Sequence, residues 1–378
     1  MDPADNKRTG YSNFTATLAG LCVCVACDCR GGEARPSISP ANRHASADAV
    51  RVLRYFHSLP QRKETRVLCG QNIGHANQSV AAGYVKYFED LRKKTGKCPA
   101  ILGICYGWEE IAPAKIAEAN KILIRHWREG GLITISMSPR NPWTGRGLRD
   151  RSLGEFSYAD IIRTGTEPNR RWAAVLRAVA DGLSELRDAG VVALWRPLHE
   201  MNGDFFWWTA GKHEGWASPQ EFVALWKYTF EYLTVERKLD NLLWVYAPNA
   251  PTPGVKPATH YYPGDQYVDV VGLDFYGNSL ADATARKGYQ SLIALGKPFG
   301  FSEVGPAFWL TAHPRGNFDN LSVIRSIREE YPRATFFVYW QGWSSLLMDV
   351  KMAIVENRNA DGLLGDKWVI TRESVDWR

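Results

Sequence analysis

The sequence contains no apolar run near the ~20 residues that a membrane-spanning helix requires, so a transmembrane protein is not expected. It also lacks a basic block. The 378-residue chain carries a formal net charge of +6, but its arginines and lysines are scattered along its length. Scattered cations are typical of a solvated surface rather than a nucleic-acid tract. With 45% hydrophobic and 23% charged residues, the composition is that of a soluble globular protein.

Cysteine is scarce outside the first 34 residues. Four of the seven cysteines lie in that N-terminal part, and the rest of the chain has only Cys69, Cys98 and Cys105. These three permit at most one disulfide, for which Cys98 and Cys105 are the candidate pair, so a disulfide scaffold is excluded. The N-terminal C-x-C-x-x-C-x-C pattern (22–29) lacks the two separated pairs usual in zinc sites, and we expect no metal.

Residues 1–34 differ in composition from the rest of the chain. The apolar stretch "FTATLAGLCVCVAC" (14–27) follows Lys7 and Arg8, and Gly32 and Ala34 form a small-x-small cleavage pattern. This resembles a secretory leader and predicts a secreted or extracellular protein, with a lipid anchor through the cysteines as a variant. A disordered tail is the alternative. We expect residues 35–378 to form a single domain.

Several catalytic motifs are missing. No G-x-G-x-x-G loop follows an early strand, which argues against a dinucleotide-binding sheet. The G-x-S-x-G motif of serine hydrolases is also absent from the sequence. His199 and Glu200 begin like the zinc motif H-E-x-x-H, but Gly203 occupies the position of the second histidine. A metalloprotease is therefore excluded.

Eight short apolar segments alternate with helical patterns from residue 43 onward. Near-continuous apolar runs are typical of parallel strands buried on both faces. The eight segments are 66–70, 100–105, 132–137, 191–197, 242–247, 268–276, 298–303 and 335–340. Eight β–α alternations without a break in composition predict a single (β/α)8 TIM barrel over residues 35–378. A doubly wound open sheet is the alternative.

Polar and aromatic side chains collect where these segments end. In a barrel, the carboxyl ends of the strands meet at one face, and chemistry is found there. The residues in these positions are Gln71, His75, Ser138, Asn141, Trp143, Arg196, His199, Glu200, Asn249, Asp274, Tyr276, Glu303, Trp340 and Gln341. Their shared position predicts one polar cleft.

Two carboxylates, Glu200 after the fourth strand and Glu303 after the seventh, can point into that cleft. A pair ~5–5.5 Å apart is the geometry of a retaining glycosidase, and ~6.5–9.5 Å is that of an inverting one. One glutamic acid would protonate the leaving oxygen while the other attacks the anomeric carbon. Arg196 and Tyr276 are the expected hydrogen-bond donors to Glu303.

The aromatic residues also fit a sugar ligand, because pyranose rings present C–H faces that stack on tryptophan. Trp143, Trp208, Trp340 and Phe205 lie in or beside the expected top-face loops, as do Trp207 and Trp343. Trp195 and Trp244 lie within strands and are expected in the core. A barrel that binds sugar without cleaving it is the alternative from another class.

The stretches "WRPLHEMNGDFFWW" (195–208) and "FSEVG" (301–305) resemble glycoside hydrolase family 26, the group dominated by β-mannanases. The resemblance covers residues 43–378. It implies a retaining mechanism with Glu200 as acid/base and Glu303 as nucleophile, supported by His199, Tyr276 and Arg196. It also implies an aromatic platform at Trp340 and no cofactor. Expected substrate contacts are Trp340, Trp208, Asp274, Phe205, Asn249, His75 and Trp143.

Two positions depart from the family pattern. "SMSPRNP" places Met137 and Ser138 where many mannanases have an aromatic residue and a histidine, and Phe205 replaces a tryptophan. Both departures lie where sugar subsites are built. The expected activity is internal cleavage of β-1,4-mannan, glucomannan or galactomannan by a monomer. A β-1,3-xylanase, a mixed-linkage β-glucanase and a mannobiose-releasing exo-enzyme remain alternatives.

Overall fold

Eight parallel strands form a closed barrel in the computed structural model, which describes residues 38–378 apart from 79, 212–214, 309–313 and 346. The strands pair in chain order, and the eighth pairs with the first. They are β1 Val67–His75, β2 Ile101–Glu109, β3 Leu132–Pro139, β4 Ala193–Arg196, β5 Leu242–Tyr246, β6 Val270–Tyr276, β7 Phe299–Gly305 and β8 Ala334–Tyr339. The predicted (β/α)8 barrel and its eight strand segments are confirmed.

Helices cover the outside of the barrel between most pairs of strands. They are α1 Ala47–Ser58, α2 Val80–Tyr84, α3 Asp90–Thr95, α4 Pro113–Arg128, α5 Glu167–Asp188, α6 Pro219–Glu231, α7 Ala283–Ile293, α8 Leu321–Glu330 and α9 Ala360–Gly365. The start of α6 follows from its sequence. The Ser218 side chain accepts a hydrogen bond from the Glu221 N–H, and Pro219 stands at the first helical position, where its missing N–H has no cost.

The connection between β5 and β6 differs from the predicted alternation. Residues 247–269 contain no α-helix, only a single 3-10 turn at Asp265–Tyr267. This stretch carries five prolines, at 248, 251, 253, 257 and 263. Because proline lacks an N–H and clashes with the preceding helical turn, the segment forms an irregular loop at the edge of the barrel.

The barrel interior and the layer beneath the helices make up the core. Trp195 on β4 and Trp244 on β5 are in register with each other and fully buried, which confirms their predicted place. The amino ends of the strands are covered by α1, where Phe56 packs edge-on against Phe336 of β8 at 5.7 Å. The Ser46 N–H, at the start of α1, donates to the Asp240 carbonyl just before β5 at 2.7 Å.

Short strands complete the fold after β8. β9 (Trp343–Ser344) and β10 (Asp349–Val350) form an antiparallel hairpin, and β11 (Val369–Ile370) pairs with β1. The hairpin follows directly from the carboxyl end of β8, so it stands beside the face of the barrel where polar residues collect.

The candidate disulfide is absent, because Cys69, Cys98 and Cys105 are buried free thiols. Cys98 precedes β2 and Cys105 lies within it, and seven residues of extended chain span roughly 20 Å. A disulfide bridges Cα atoms less than ~7 Å apart. The predicted leader, residues 1–34, lies outside the described residues. Within the described part, no helix has the length and apolarity to cross a bilayer.

Candidate active site

The carboxyl ends of β4, β6 and β7 bring together a buried charge network. The Arg196 guanidinium donates from Nη1 to Asp274 Oδ2 at 2.9 Å and from Nη2 to Glu303 Oε1. The Tyr276 hydroxyl donates to Glu303 Oε2 at 2.5 Å, and the Ser302 hydroxyl donates to Asp274 Oδ1 at 2.5 Å. Both donors expected for Glu303 are therefore in contact with it, and each of its oxygens accepts one hydrogen bond.

Strand register places this network. Asp274 lies directly opposite Glu303 in the β6–β7 pair, just after an irregularity in the pairing that follows Gly272. A side chain at Gly272 would collide with Ser302, because its Cβ would lie 2.2 Å from Ser302 Oγ. Glycine at this position therefore leaves room for the serine that holds Asp274.

Glu200 reaches the same cluster from a strained loop after β4. Leu198 and Glu200 adopt positive φ angles of 49° and 54°, which side-chain-bearing residues rarely adopt. The Glu200 N–H donates to the Ala247 carbonyl at 2.7 Å, and its carbonyl accepts from the Gly203 N–H at 2.9 Å. Backbone strain of this kind persists where surrounding contacts fix it and is common at active sites.

The three carboxyl groups lie close together. Glu200, Asp274 and Glu303 each contribute an oxygen within 4.8 Å of the other two. A divalent cation could bind such a group. However, Arg196 is already ion-paired with Asp274 and Glu303, and its fixed positive charge would repel a second cation.

The surroundings of Glu200 favour its protonated form. Glu200 is partly exposed at the residue level, but its carboxyl group is enclosed by protein, and this burial raises its pKa well above the usual value. The charge of Glu303 adds to the rise, while Arg196 opposes it. Burial also raises the pKa of Asp274, against the effect of Arg196. Glu200 is therefore suited to hold and release a proton.

His199 lies behind Glu200 against an aromatic cluster. Its ring packs near Phe206 at 5.6 Å and Trp208 at 5.7 Å, and its carbonyl accepts from Trp208 Nε1 at 2.9 Å. Burial, then the charge of Arg196, lowers the pKa of His199 well below its usual value, so the ring is neutral. Its Nδ1 has no hydrogen-bond partner among the described residues.

Trp143 and Trp208 are not placed as predicted. Both are buried, at 2% and 0% exposure, and their indole N–H groups already donate to the carbonyls of Ser157 and His199. Trp207 lies between them, 5.6 Å and 5.3 Å away from ring to ring. Because so little of either ring is exposed, Trp143 and Trp208 pack behind the loop after β4, and this structure leaves no ring face open for the predicted sugar contact.

A second group of residues lines the cleft from β1, β2 and β8. His75 packs near Trp108 at 5.1 Å and near Trp340 at 6.1 Å, and both tryptophans are partly exposed. The Trp340 N–H donates to the carbonyl of Val304, the residue after Glu303, at 3.0 Å. Burial lowers the pKa of His75 to about 4, so this wall is uncharged near neutral pH.

A model of glycosyl hydrolase family 26 matches residues 41–374. The chain belongs to glycosyl hydrolase family 26. It is 35% identical over 347 residues to a mannan endo-1,4-β-mannosidase of Bacillus subtilis strain 168, covering 90% of each chain. It is equally similar to mannan endo-1,4-β-mannosidase A and B of Caldalkalibacillus mannanilyticus, covering 89% of this chain but 63% of that longer protein.

The fold of this family 26 enzyme also matches a solved structure, that of a Bacillus subtilis mannanase. The two superpose with a TM-score of 0.76 at 33% identity, covering 89% of this chain and 96% of the other. The family assignment makes the chain a glycoside hydrolase, and it agrees with the barrel and the glutamate pair described above.

Three residues that the sequence places at or after strand ends, Phe205, Asn249 and Gln71, differ in how open they are to a ligand. Phe205 is partly exposed and packs edge-on against Phe206 at 4.7 Å. The Asn249 N–H donates to Asn202 Oδ1 at 2.7 Å, whereas its side-chain Nδ2 has no partner among the described residues. Gln71 is fully engaged, because its side chain donates to the carbonyls of Tyr339 and Trp340 and accepts from the Ile354 N–H. Asn249 and Phe205 remain accessible to a ligand, and Gln71 does not.

Sequence reasoning missed Trp108 and Asn202. The second segment was predicted to end at residue 105, but β2 runs to Glu109, so Trp108 reaches the cleft wall. The aromatic and polar character of "YGWEE" (106–110) could have marked another strand end. Asn202 holds the loops after β4 and β5 together, because its Nδ2 donates to the carbonyls of Asn249 and Lys256. Its sequence position carries no signal for that role.

We expect replacement of Arg196 by methionine to destabilise the enzyme by about 3–5 kcal/mol at pH 8, because it leaves two buried carboxylates without a cation. The loss should shrink toward pH 4. Arg196 lowers the pKa of Asp274, so without it burial raises that pKa still further above the unfolded value, and the stability of the variant falls as pH rises. Urea unfolding at both pH values measures the effect.

Arg325→Met is the matched control, since Arg325 pairs with Asp319 at the surface. This substitution should lower the free energy of unfolding by less than about 1 kcal/mol. An Arg196→Met loss of the same size at both pH values would contradict the electrostatic explanation and indicate lost packing instead.

Proposed function

We propose that the protein is an endo-acting β-1,4-mannanase that hydrolyses its substrate by double displacement with retention of configuration. The observation that carries this proposal is the glutamate pair, with carboxylate oxygens of Glu200 and Glu303 within 4.8 Å of each other. That closeness is nearer to the ~5–5.5 Å of retaining glycosidases than to the ~6.5–9.5 Å of inverting ones.

The hydrogen bonds divide the roles of the two glutamates. Glu303 accepts from Arg196 and Tyr276, which stabilise its ionised form. It is the nucleophile. Glu200 has a raised pKa and is the acid.

In the first step, a Glu303 oxygen bonds to the anomeric carbon as the glycosidic C–O bond breaks. Glu200 gives its proton to the departing oxygen. In the second step, Glu200 takes a proton from water as the water oxygen attacks the anomeric carbon. The bond to Glu303 then breaks, and its electron pair returns to the carboxylate.

Arg196 and Asp274 position the nucleophile. The planar guanidinium spans both carboxylates, and Asp274 is itself fixed by the Ser302 hydroxyl. The two hydrogen-bond donors to Glu303, Arg196 and Tyr276, hold its carboxylate in one orientation. A fixed orientation of the nucleophile favours attack on the anomeric carbon.

Two kinds of observation support mannan as the substrate. The similar proteins at 35% identity carry the name mannan endo-1,4-β-mannosidase. At the strand ends around the two glutamates, His75 Nδ1, Asn249 Nδ2 and Gln341 Oε1 are also buried atoms that lack partners among the described residues. Buried polar groups of this kind are costly unless a ligand completes them. Trp340 supplies the aromatic platform beside them.

A polymeric substrate also supports extracellular action, as the leader-like segment 1–34 predicts. We propose that the enzyme works as a secreted monomer without a cofactor, since the two glutamates and water account for every bond change in the reaction. Fractionation of the producing cells and sedimentation of the purified chain test location and oligomeric state.

The proposed substrate is tested by comparing β-1,4-mannan, β-1,3-xylan and mixed-linkage β-glucan side by side, with product sizes resolved. We expect fast release from mannan and a ladder of oligomers. Release of mannobiose alone would indicate exo action. Faster cleavage of xylan or glucan would refute mannan as the preferred substrate but leave the retaining mechanism in place. Cleavage of none would favour a sugar-binding barrel.

Glu303→Gln should reduce kcat on mannan by at least about 10³-fold, because the nucleophile forms the covalent intermediate. Glu200→Ala should cost far more on natural mannan than on an aryl mannoside with a good leaving group, which needs no proton. Glu118→Gln, at an exposed position on the outer helix α4, is the control and should keep wild-type activity. Equal losses on both substrates for Glu200→Ala would refute its acid role.

The pH profile follows from the raised pKa of Glu200. Because the acid must be protonated, kcat/KM on mannan should fall as pH rises through that pKa, above the range of an ordinary glutamate. This fall of kcat/KM at high pH should vanish when Glu200→Ala is assayed with the activated aryl substrate. If kcat/KM of this variant still falls at high pH, a group other than Glu200 is responsible.

A further inference from the structure

One buried side chain, that of Asn202, binds the loop after β4 to the segment after β5. Asn202 is fully buried. Its Oδ1 accepts from the Asn249 N–H at 2.7 Å, and its Nδ2 donates to the Asn249 carbonyl at 2.9 Å and to the Lys256 carbonyl at 2.8 Å. The Lys256 N–H donates in turn to the Asn202 carbonyl at 3.0 Å. The amide thus bonds both backbone polar groups of Asn249, as a paired strand would.

These bonds extend the contact between β4 and β5 beyond the end of their regular pairing, which stops before the two loops begin. The Glu200 N–H donates to the Ala247 carbonyl at 2.7 Å. Two residues later on each side, the Asn202 side chain bonds Asn249. The turn that carries Glu200 is therefore fixed to the continuation of β5 at two points.

The segment after β5 is itself joined to the network around Glu303. Asn249 forms a parallel bridge with Asp274 on β6, and two backbone hydrogen bonds, of 3.0 Å and 2.9 Å, join its neighbours to Asp274. Asp274 is bound by Arg196, which also binds Glu303. Asn202 thus connects the loop that carries Glu200 to the strand whose aspartate fixes the position of Glu303.

The loop needs such support because its backbone is strained. Leu198 and Glu200 have φ angles of 49° and 54°, and residues with a side chain keep such angles only where surrounding contacts hold them. The carboxylate of Glu303 is held directly by two side chains. Within the described residues, by contrast, the hydrogen bonds of Glu200 are made by its backbone. The place of its carboxyl group therefore depends on the loop.

We propose that Asn202 is a positioning residue for Glu200 and keeps its carboxyl group beside the leaving oxygen of the substrate. This inference rests on the proposed function, since it assumes that Glu200 is the proton donor. A displacement of about 1 Å near the reacting atoms can cost about 100-fold in rate. Loss of the Asn202 amide should weaken proton donation, whereas Glu303, held by its own donors, still attacks.

The experiment compares Asn202→Ala with the wild type on phenyl β-mannobioside and dinitrophenyl β-mannobioside. The two substrates differ in the leaving group alone, and the dinitrophenolate departs without a proton. We expect kcat/KM of the variant to fall about 10- to 100-fold on the phenyl substrate and to stay within about threefold on the dinitrophenyl substrate. Both are assayed with one preparation, so any unfolded fraction cancels from the ratio of the two values.

Asn241→Ala is the matched control. Asn241 is a buried asparagine whose Nδ2 donates to the carbonyls of Val191 and Leu183. It precedes β5 and so lies at the opposite end of the barrel from the active site. This variant should lose stability and keep the wild-type ratio of the two kcat/KM values. Asn202→Ser replaces Asn202→Ala if the latter does not fold, and should show a smaller loss of the same selectivity.

A double variant gives an independent check, because a positioning residue acts through the group that it positions. Adding Asn202→Ala to Glu200→Ala should cause no further selective loss on the phenyl substrate, so the two effects should not add. A further selective loss in the double variant would show that Asn202 acts on the reaction by another route.

Two results with the single variant would refute the positioning role. Equal losses on both mannobiosides would mean that Asn202 supports the fold or the whole site. Unchanged kcat/KM on both would mean that the loop holds Glu200 without it. If the wild type cleaves neither mannobioside, the proposed function fails and the positioning role fails with it. Cleavage of both by the wild type, without leaving-group dependence of the Asn202→Ala effect, removes the positioning role alone.

Discussion

One buried guanidinium organises the active site. Arg196, at the end of β4, contacts Asp274 on β6 and Glu303 on β7, so it links β4 to two strands that are not its neighbours in the barrel. Its positive charge is shared between these two carboxylates. Burial raises the pKa of Glu200, and the charge of Glu303 adds to that rise. The arrangement of all three carboxyl groups therefore depends on a single cation held by packing and hydrogen bonds.

Much of this could be predicted from the sequence. Strands buried on both faces must be apolar, so the eight segments were visible as runs of apolar residues, and polar residues at their ends then stood out. Glu200, Glu303, Arg196 and Tyr276 were found in this way, because each ends a strand or follows one closely. Their convergence required only the rule that parallel barrel strands end at one face.

Other features depend on tertiary packing that a linear pattern does not encode. Trp208 and Trp340 look alike in sequence as tryptophans beside strand ends. Trp208 is buried behind His199, however, and Trp340 borders the cleft. Trp108 was missed because β2 is longer than its apolar run. The prolines of 247–269 indicate a loop in the sequence, but they do not reveal the path that the loop takes beside the barrel.

The left-handed conformations of Leu198 and Glu200 have a consequence for protein engineering. Each costs about 1–3 kcal/mol, so the loop that carries Glu200 stores conformational energy which the aromatic cluster behind it must offset. Relaxing this loop would raise thermal stability and would also let the carboxyl group drift from its position. Efforts to make the enzyme more heat-resistant are better directed to the α-helical side of the barrel, where rigidity and catalysis do not compete.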